Sequence, residues 1–162
     1  MKVVIVGGVA GGATAAARIR RLDEQAEIVV FERSGYVSYA NCGLPYYIGG
    51  VIEDPEELTL QTPESFFSRF RVDMRVHHEV MAIHPERKCV SVRNLESGEE
   101  FEESYDKLLL SPGARPAQPK LPGAGMEKIF TLRTVEDTFR IKNYIQNAHP
   151  KSAVLAGGGV IG

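Results

Sequence analysis

The sequence predicts an α/β fold built on a parallel sheet, with a small antiparallel sheet attached. Three observations lead there. Lys2-Val3-Val4-Ile5-Val6 is a continuous β-branched run, the pattern of a strand buried on both faces of a parallel sheet. Glycines 7, 8, 11 and 12 follow at once and open an alanine- and arginine-rich stretch, Ala13 to Leu22, that is helical by propensity. Glu27-Ile28-Val29-Val30-Phe31-Glu32 is a second buried strand, which completes a βαβ unit.

Residues 34–62 are irregular, rich in Gly, Tyr, Pro and Asn, with one short helix expected to start near Cys42. Thr62-Pro63-Glu64 reads as a cap with proline at the first helical position, so a helix should run to about Phe70. From Arg75 to Phe101 the pattern alternates: His77 to Ile83, Lys88 to Val92 and Glu99 to Glu103, with a turn at Asn94 to Gly98. This predicts a three-stranded antiparallel β-meander. Lys107 to Leu110 returns as a core strand and stops at Ser111-Pro112-Gly113. Pro116 to Gly125 is a proline- and glycine-rich connection, Thr134 to Asn147 a helix, and Ser152 to Ala156 a further apolar strand.

The 162 residues suffice for one domain with a hydrophobic core, plus a stub. A net charge of −2 gives no reason to expect nucleic acid or an acidic membrane surface as partner. No apolar run approaches the ~20 residues that span a bilayer, so no membrane role is expected. The run after Lys2 ends at Gly7, too short for a secretory signal. Cys42 and Cys89 sit in different settings, which suits a thiol-keeping, cytoplasmic compartment better than a structural disulfide.

A strand that runs into glycines and opens a helix leaves backbone N–H groups directed at whatever lies above the helix start. The helix dipole adds partial positive charge, and missing side chains let a pyrophosphate approach. Gly7 and Gly12 are the outer glycines of such a turn, with Gly8, Val9, Ala10 and Gly11 between them. Val9 stands where the strict pattern has glycine. Glu32 ends the second strand about twenty residues after Gly12, where an acid binds ribose hydroxyls and disfavours a 2′-phosphate. The context therefore predicts a Rossmann-like dinucleotide-binding domain over residues 1–150.

A second turn follows the Ser152 to Ala156 run: Gly157, Gly159 and Gly162 have full G-x-G-x-x-G spacing. Residues 151–162 are expected to be the first strand and glycine turn of a second dinucleotide-binding domain. Two such sites imply two redox carriers, most simply FAD and NADH or NADPH.

The stretch from Tyr36 to Gly49 is the most unusual. Cys42 is expected at a short helix start, where the dipole favours thiolate, the form that attacks a disulfide or persulfide sulfur. An inert buried cysteine is the commoner fate of a lone Cys, and the nucleotide turns reverse that preference. Val37 and Tyr47 stand five residues to either side, so no C-x4-C dithiol exists. The oxidised form is a mixed disulfide, a persulfide or a sulfenic acid. Cys89, in Lys88-Cys89-Val90, reads as a strand residue without a role.

At this point Gly7 to Ala16 with Ile19-Arg20-Arg21-Leu22, Ser38-Tyr39-Ala40-Asn41-Cys42-Gly43-Leu44-Pro45-Tyr46, and Tyr105 to Ala114 resemble the coenzyme A-disulfide reductases. Close relatives of that group are NADH oxidases, NADH peroxidases and NADH-dependent persulfide reductases with a single active cysteine. The resemblance implies FAD on Gly7 to Gly12, with Glu32 and Arg33 at the adenosine end. It places Ser111, Pro112, Gly113 and Ala114 along the dinucleotide, and Asn41 and Cys42 beside the flavin. Cys42 is then the nucleophile, with Ser38 nearby. Thr14, Arg18, Arg21, Ser38 and Asn41 fall where the group contacts coenzyme A. A further basic contact maps near Phe70, where Arg71 or Arg69 supplies the charge. Arg18 and Arg21 lie three apart on one helix face, able to pair with phosphates. The resemblance also implies a homodimer for the full-length protein.

A metal site is not expected. His77 and His78 are adjacent on a strand and point to opposite faces, and His84 and His149 have no acidic or Cys partner in ligand spacing. Oxygen, peroxide or a polysulfide is an alternative electron acceptor, and a non-catalytic FAD-binding redox sensor is a reading from a different class. Residues 1–162 alone are expected to be inactive, because part of the flavin site should come from later sequence; measurable NADH turnover by this segment would refute that expectation.

Overall fold

The computed structural model describes residues 1–117 and 122–158. The parallel sheet contains β1 (Lys2–Val6), β2 (Glu27–Phe31), β3 (Asp73–Arg75) and β7 (Lys107–Leu110), in the order β3-β2-β1-β7. The separate antiparallel sheet is β4 (His78–His84), β5 (Cys89–Asn94) and β6 (Glu100–Ser104), in sequence order. Among the described residues four α-helices complete the fold: α1 (Ala10–Leu22), α2 (Leu44–Ile48), α3 (Pro63–Phe70) and α4 (Val135–Ala148). The α/β class and the meander thus appear as the sequence predicts.

Strand periodicity explains the layering. Val3, Ile5, Ile28 and Val30 point to one face and pack with Ala13 and Ala16 of α1 and Phe66 of α3. Val4, Val29 and Phe31 point to the other and pack with Val90 and Val92 of the meander. The parallel sheet is therefore covered on both sides, as its unbroken apolar strands require. Ala13 and Ala16 let α1 approach closely, and Arg20 fixes its far end by donating to the carbonyls of Phe70 and Arg71 at 2.7 and 2.9 Å.

Several boundaries differ from expectation. α1 begins at Ala10 rather than Ala13: the Ala13 N–H donates to Val9 O at 2.9 Å, which makes Ala10, Gly11 and Gly12 its first turn. β3 was not foreseen; its three residues are strand because they pair in parallel with Val29 to Phe31. Only His78 of the His77–His78 pair is in a strand, since His77 has φ of 56° and turns the chain between the two sheets. Ser152 to Ala156 forms no strand: Val154 is 94% exposed and Leu155 71%. Strand propensity without a neighbour to pair with does not make a strand. Gly159 and Gly162 lie outside the described residues.

Both expected helix starts carry full capping boxes, Thr62 with Ser65 and Thr134 with Asp137. Charged side chains tie the sheet margins together. Lys2 Nζ reaches Glu27 at 2.9 Å and Glu103 at 2.6 Å, while Arg75 bridges Asp73 and Glu103. Hydrogen bonds to Glu103 and then Glu27 hold the Lys2 ammonium above its ordinary value of 10.5. A raised folded-state value means that this stabilisation is complete below the ordinary lysine range and is lost only as pH climbs through the folded value.

Two outcomes follow for chemical denaturation. Phe31→Ala, which empties a 1%-exposed position between the two sheets, should cost about 3–5 kcal/mol. Lys2→Met should lower stability equally from neutral pH to pH 9, with the difference from the parent chain narrowing above pH 10.5.

Candidate functional site

The carboxyl ends of β1, β2 and β7 reach the same level, which is where open parallel sheets bind ligands. Gly7 leaves β1 with φ of 98°, a conformation that disfavours any side chain, and its N–H donates to Phe31 O at 2.8 Å. A β-carbon on Gly7 would run into the backbone of Ser111, and one on Gly12 into Gly7 O. A β-carbon on Gly11 would meet Ser111 Oγ. The turn is thus closed against the Ser111 segment beside it while its upper side, at the start of α1, stays open: Ala10 and Gly11 are exposed.

Glu32 follows directly. Its Oε2 accepts from Gly8 N and its Oε1 from Ser34 N, both at 2.8 Å. Each oxygen keeps a further lone pair, and the half-buried carboxylate lines a cavity of about 370 Å³. Val6, Gly7, Phe31, Arg33, His78 and Pro112 to Arg115 contribute to the same wall. A second open cavity, of about 740 Å³, shares Arg33, Ala114 and Arg115 with the first and continues to Thr131, Arg133 and Thr134. Together they form a trough from Glu32 toward the start of α4. Arg33 is mostly exposed and pairs with Glu79 at 3.4 Å.

Arg133 joins this trough to the cysteine segment. Its Nε donates to Ala114 O at 3.2 Å, its Nη1 reaches Asn41 Oδ1 at 3.5 Å, and its Nη2 lies where a β-carbon on Gly113 would stand, 2.9 Å away. Asp137 accepts from the N–H groups of Arg133 and Thr134, fixing the backbone that carries this guanidinium. Sequence reasoning missed Arg133, and also His78 and Arg115. The Thr134 cap was readable, but nothing local marked the residue before it as a link between two distant turns.

Cys42 lies in a 3-10 turn, Asn41–Gly43, that leads straight into α2. It is exposed and unbridged, while Cys89 is buried. Burial pushes the Cys89 thiol up, and the Glu102 carboxylate, 3.7 Å from its Sγ, adds to this against the pull of Arg87. Of the two cysteines, Cys42 is the exposed one. The turn is seated on Tyr39, Leu44, Leu58 and Val135, a buried cluster separate from the two sheet cores. Burial holds the Tyr39 phenol above its ordinary value of 10.0, with Glu32 adding to the effect, so it stays a neutral donor at physiological pH.

The candidate substrate contacts fall along α1. Ser38, with φ of 48°, donates its N–H to Gly8 O at 3.0 Å, beside the helix start. Thr14, Arg18 and Arg21 are all exposed on α1, at spacings that share one face, whereas Arg20 turns inward. Arg71 ends α3 with φ of 49°, its side chain exposed and its carbonyl held by Arg20. Arg69 instead lies over the Phe70 ring at 5.1 Å.

No helix among the described residues is long and apolar enough to cross a membrane, and among them no three His, Cys, Asp or Glu side chains gather as a metal site.

A parallel sheet whose first strand ends in a side-chain-free turn, an acid at the end of the second and a trough across both define a dinucleotide-binding domain. An exposed cysteine stands on a buried cluster of its own. The chain belongs to the pyridine nucleotide-disulphide oxidoreductase family, whose model matches residues 1–162. It is 46% identical over 160 residues to a coenzyme A disulfide reductase of Staphylococcus aureus, an alignment covering 99% of this chain and 36% of that protein. The chain therefore spans about a third of the length of the curated relatives it matches. Among solved structures it is similar to reduced Bacillus anthracis CoADR-RHD, with a TM-score of 0.91 and 52% identity over 93% of this chain and 27% of that one. It is also similar to a NAD-dependent persulfide reductase from A. fulgidus, with a TM-score of 0.86 and 36% identity over 90% and 28% of the two chains.

The glycine turn fits FAD, the flavin dinucleotide of this family: without β-carbons at Gly7, Gly11 and Gly12 the turn packs tightly on itself and on Ser111, and its exposed side at Ala10 and Gly11 leaves the N–H groups at the start of α1 open to a pyrophosphate. Gly12→Ala, which forces a β-carbon against the Gly7 carbonyl, should leave the protein unable to retain flavin, measured as the ratio of visible to ultraviolet absorbance after gel filtration.

Proposed function

We propose that this chain is the FAD-binding portion, residues 1–150, of a longer NAD(P)H-dependent oxidoreductase, and that residues 151–162 open its nicotinamide-binding domain. Cys42 is the redox sulfur and a coenzyme A-type disulfide its substrate. The observation that carries this reading is the exposure of Cys42 next to Asn41, whose Oδ1 lies 3.5 Å from Nη1 of Arg133, a residue lining the trough that begins at Glu32. The length of the relatives supports the longer protein, and their names support the substrate class.

In this reading Glu32 and Arg33 hold the adenosine end, and Gly7 to Gly12 bind the pyrophosphate through their N–H groups and the start of α1. Ser111, Pro112, Gly113 and Ala114 form the opposite wall, and Arg133 adds the cation that the phosphates need. Bound FAD supplies the relay that brings two electrons from NADH or NADPH to sulfur.

Cys42 does the chemistry that belongs to this chain. Its thiolate attacks one sulfur of the disulfide; a bond forms from Cys42 Sγ to that sulfur, and the other thiol leaves and takes up a proton. Two electrons from the nicotinamide then cleave the mixed disulfide, returning the Cys42 thiolate and releasing the second thiol. Asn41, which neighbours Cys42 in the chain and meets Arg133, and Ser38, fixed on Gly8, orient the incoming group. Thr14, Arg18 and Arg21 span about 10 Å of the α1 surface at 1.5 Å per residue. Arg71 lies beside their far end through its tie to Arg20. Such a track suits an elongated thiol with phosphates at its remote end, which coenzyme A is and a simple peroxide is not. NADH oxidase or peroxidase activity is the second reading and needs Cys42 alone.

Two measurements on the full-length protein test this. Mass spectrometry should find a coenzyme A adduct on Cys42 as isolated, and Cys42→Ser should abolish both the adduct and disulfide reduction while keeping flavin. Arg18→Ala with Arg21→Ala should raise KM for coenzyme A disulfide at least about tenfold, the loss of ~1.4 kcal/mol, with little change in NADH oxidation by oxygen. An unchanged KM would move the substrate away from α1 and favour the second reading.

A further inference from the structure

Helix α2 is five residues long, far below the ~12 residues at which an isolated helix becomes marginal in water, so its position must be imposed from outside. That matters because Cys42 belongs to the same rigid piece: its 3-10 turn ends at Gly43, where α2 begins. Gly43 is wedged so closely that a β-carbon would stand 3.3 Å from both Ile52 Cδ1 and Leu58 Cδ2.

α4 imposes the position. Lys142 Nζ donates to Tyr47 O at 2.8 Å and lies 3.5 Å from the centroid of the Tyr47 ring. Phe139, nearly one turn earlier, meets the same ring edge-on at 5.7 Å and Tyr36 at 6.2 Å. The ammonium therefore sits at the carbonyl end of α2, where a cation opposes the negative end of the helix and adds a charged donor to the Gly50 N–H that Tyr47 O already accepts at 3.2 Å. Lys142 lines neither cavity of the trough. It lies eight residues beyond Thr134, about 12 Å further along α4.

We propose that Lys142 is a positioning residue for Cys42: by pinning the carbonyl end of α2 it sets where the sulfur stands relative to the trough, without touching cofactor or substrate. The proposal rests on the reading of Cys42 as the redox sulfur. With Lys142 gone, the cysteine turn is tied to α4 on one side only, through Asn41 and Arg133, and its far end is left to apolar packing.

The test uses the full-length flavoprotein after a dithiol has removed any adduct from Cys42, and the long-wavelength absorbance that the freed thiolate gives against an oxidised flavin, a signal set by the distance and alignment of the two. Lys142→Met should retain stoichiometric flavin while this band falls about threefold, and Lys142→Arg, which keeps a cation able to reach the same carbonyl, should restore most of it. If Lys142→Met loses flavin through poor folding, Lys142→Gln replaces it and the same fall is expected. A full-strength band in the variant that holds flavin overturns the proposal, even if its melting temperature drops, because lost stability alone would not move the sulfur. A band equally weak in Lys142→Arg also overturns it. Cys42→Ser separates the two levels: if the band survives there, the redox reading itself fails, whatever Lys142 does.

Discussion

Where β1 and β7 end side by side, the Gly7 turn and the Ser111 turn are in such close contact that no β-carbon fits at Gly7 or Gly11, and the turn is wound so tightly that one on Gly12 would meet Gly7 O. Everything at the site is arranged around that contact. It sets the mouth of the trough, it brings the start of α1 over the sheet, and it lets Ser38 hydrogen-bond to Gly8 so that the cysteine segment begins against the nucleotide turn. The constraint is steric and belongs to the backbone, so it tolerates Val9 within the turn: Val9 packs on the cluster around Tyr39 instead of facing the open side.

A second layer of organisation is electrostatic and less dense. Glu32 is held by two N–H groups on its own side of the sheet, and Arg133, just before the Thr134 cap of α4, reaches across to the opposite wall. The acid and the base mark the two ends of one groove, which suits a ligand with hydroxyls at one end and phosphates further along. α4 contributes twice to this arrangement, with Arg133 before its first turn and Lys142 in its third, and so connects the walls of the groove to the base of α2.

What could be read from the chain alone follows the range over which each feature is specified. β1, β2, the glycine turn and the Thr62 and Thr134 caps depend on residues within a few positions of one another, and all stand where their local chemistry puts them. β3 was invisible because Asp73–Arg75 alternates too briefly to register and becomes a strand only by lying beside β2. The converse case is Ser152 to Ala156, whose apolar residues announce a strand that has nothing beside it among the described residues. Arg133 was missed for a related reason: its partner Asn41 is 92 positions away, and no short pattern encodes that meeting.

The order of strands has one more implication. Among the described residues β7 pairs with β1 alone, so one flank of Lys107–Leu110 presents free N–H and C=O groups, with Leu110 56% exposed beside them. A bare apolar edge of this kind is a template for any chain able to add a strand. In a longer polypeptide that vacancy is a docking slot that later segments can fill.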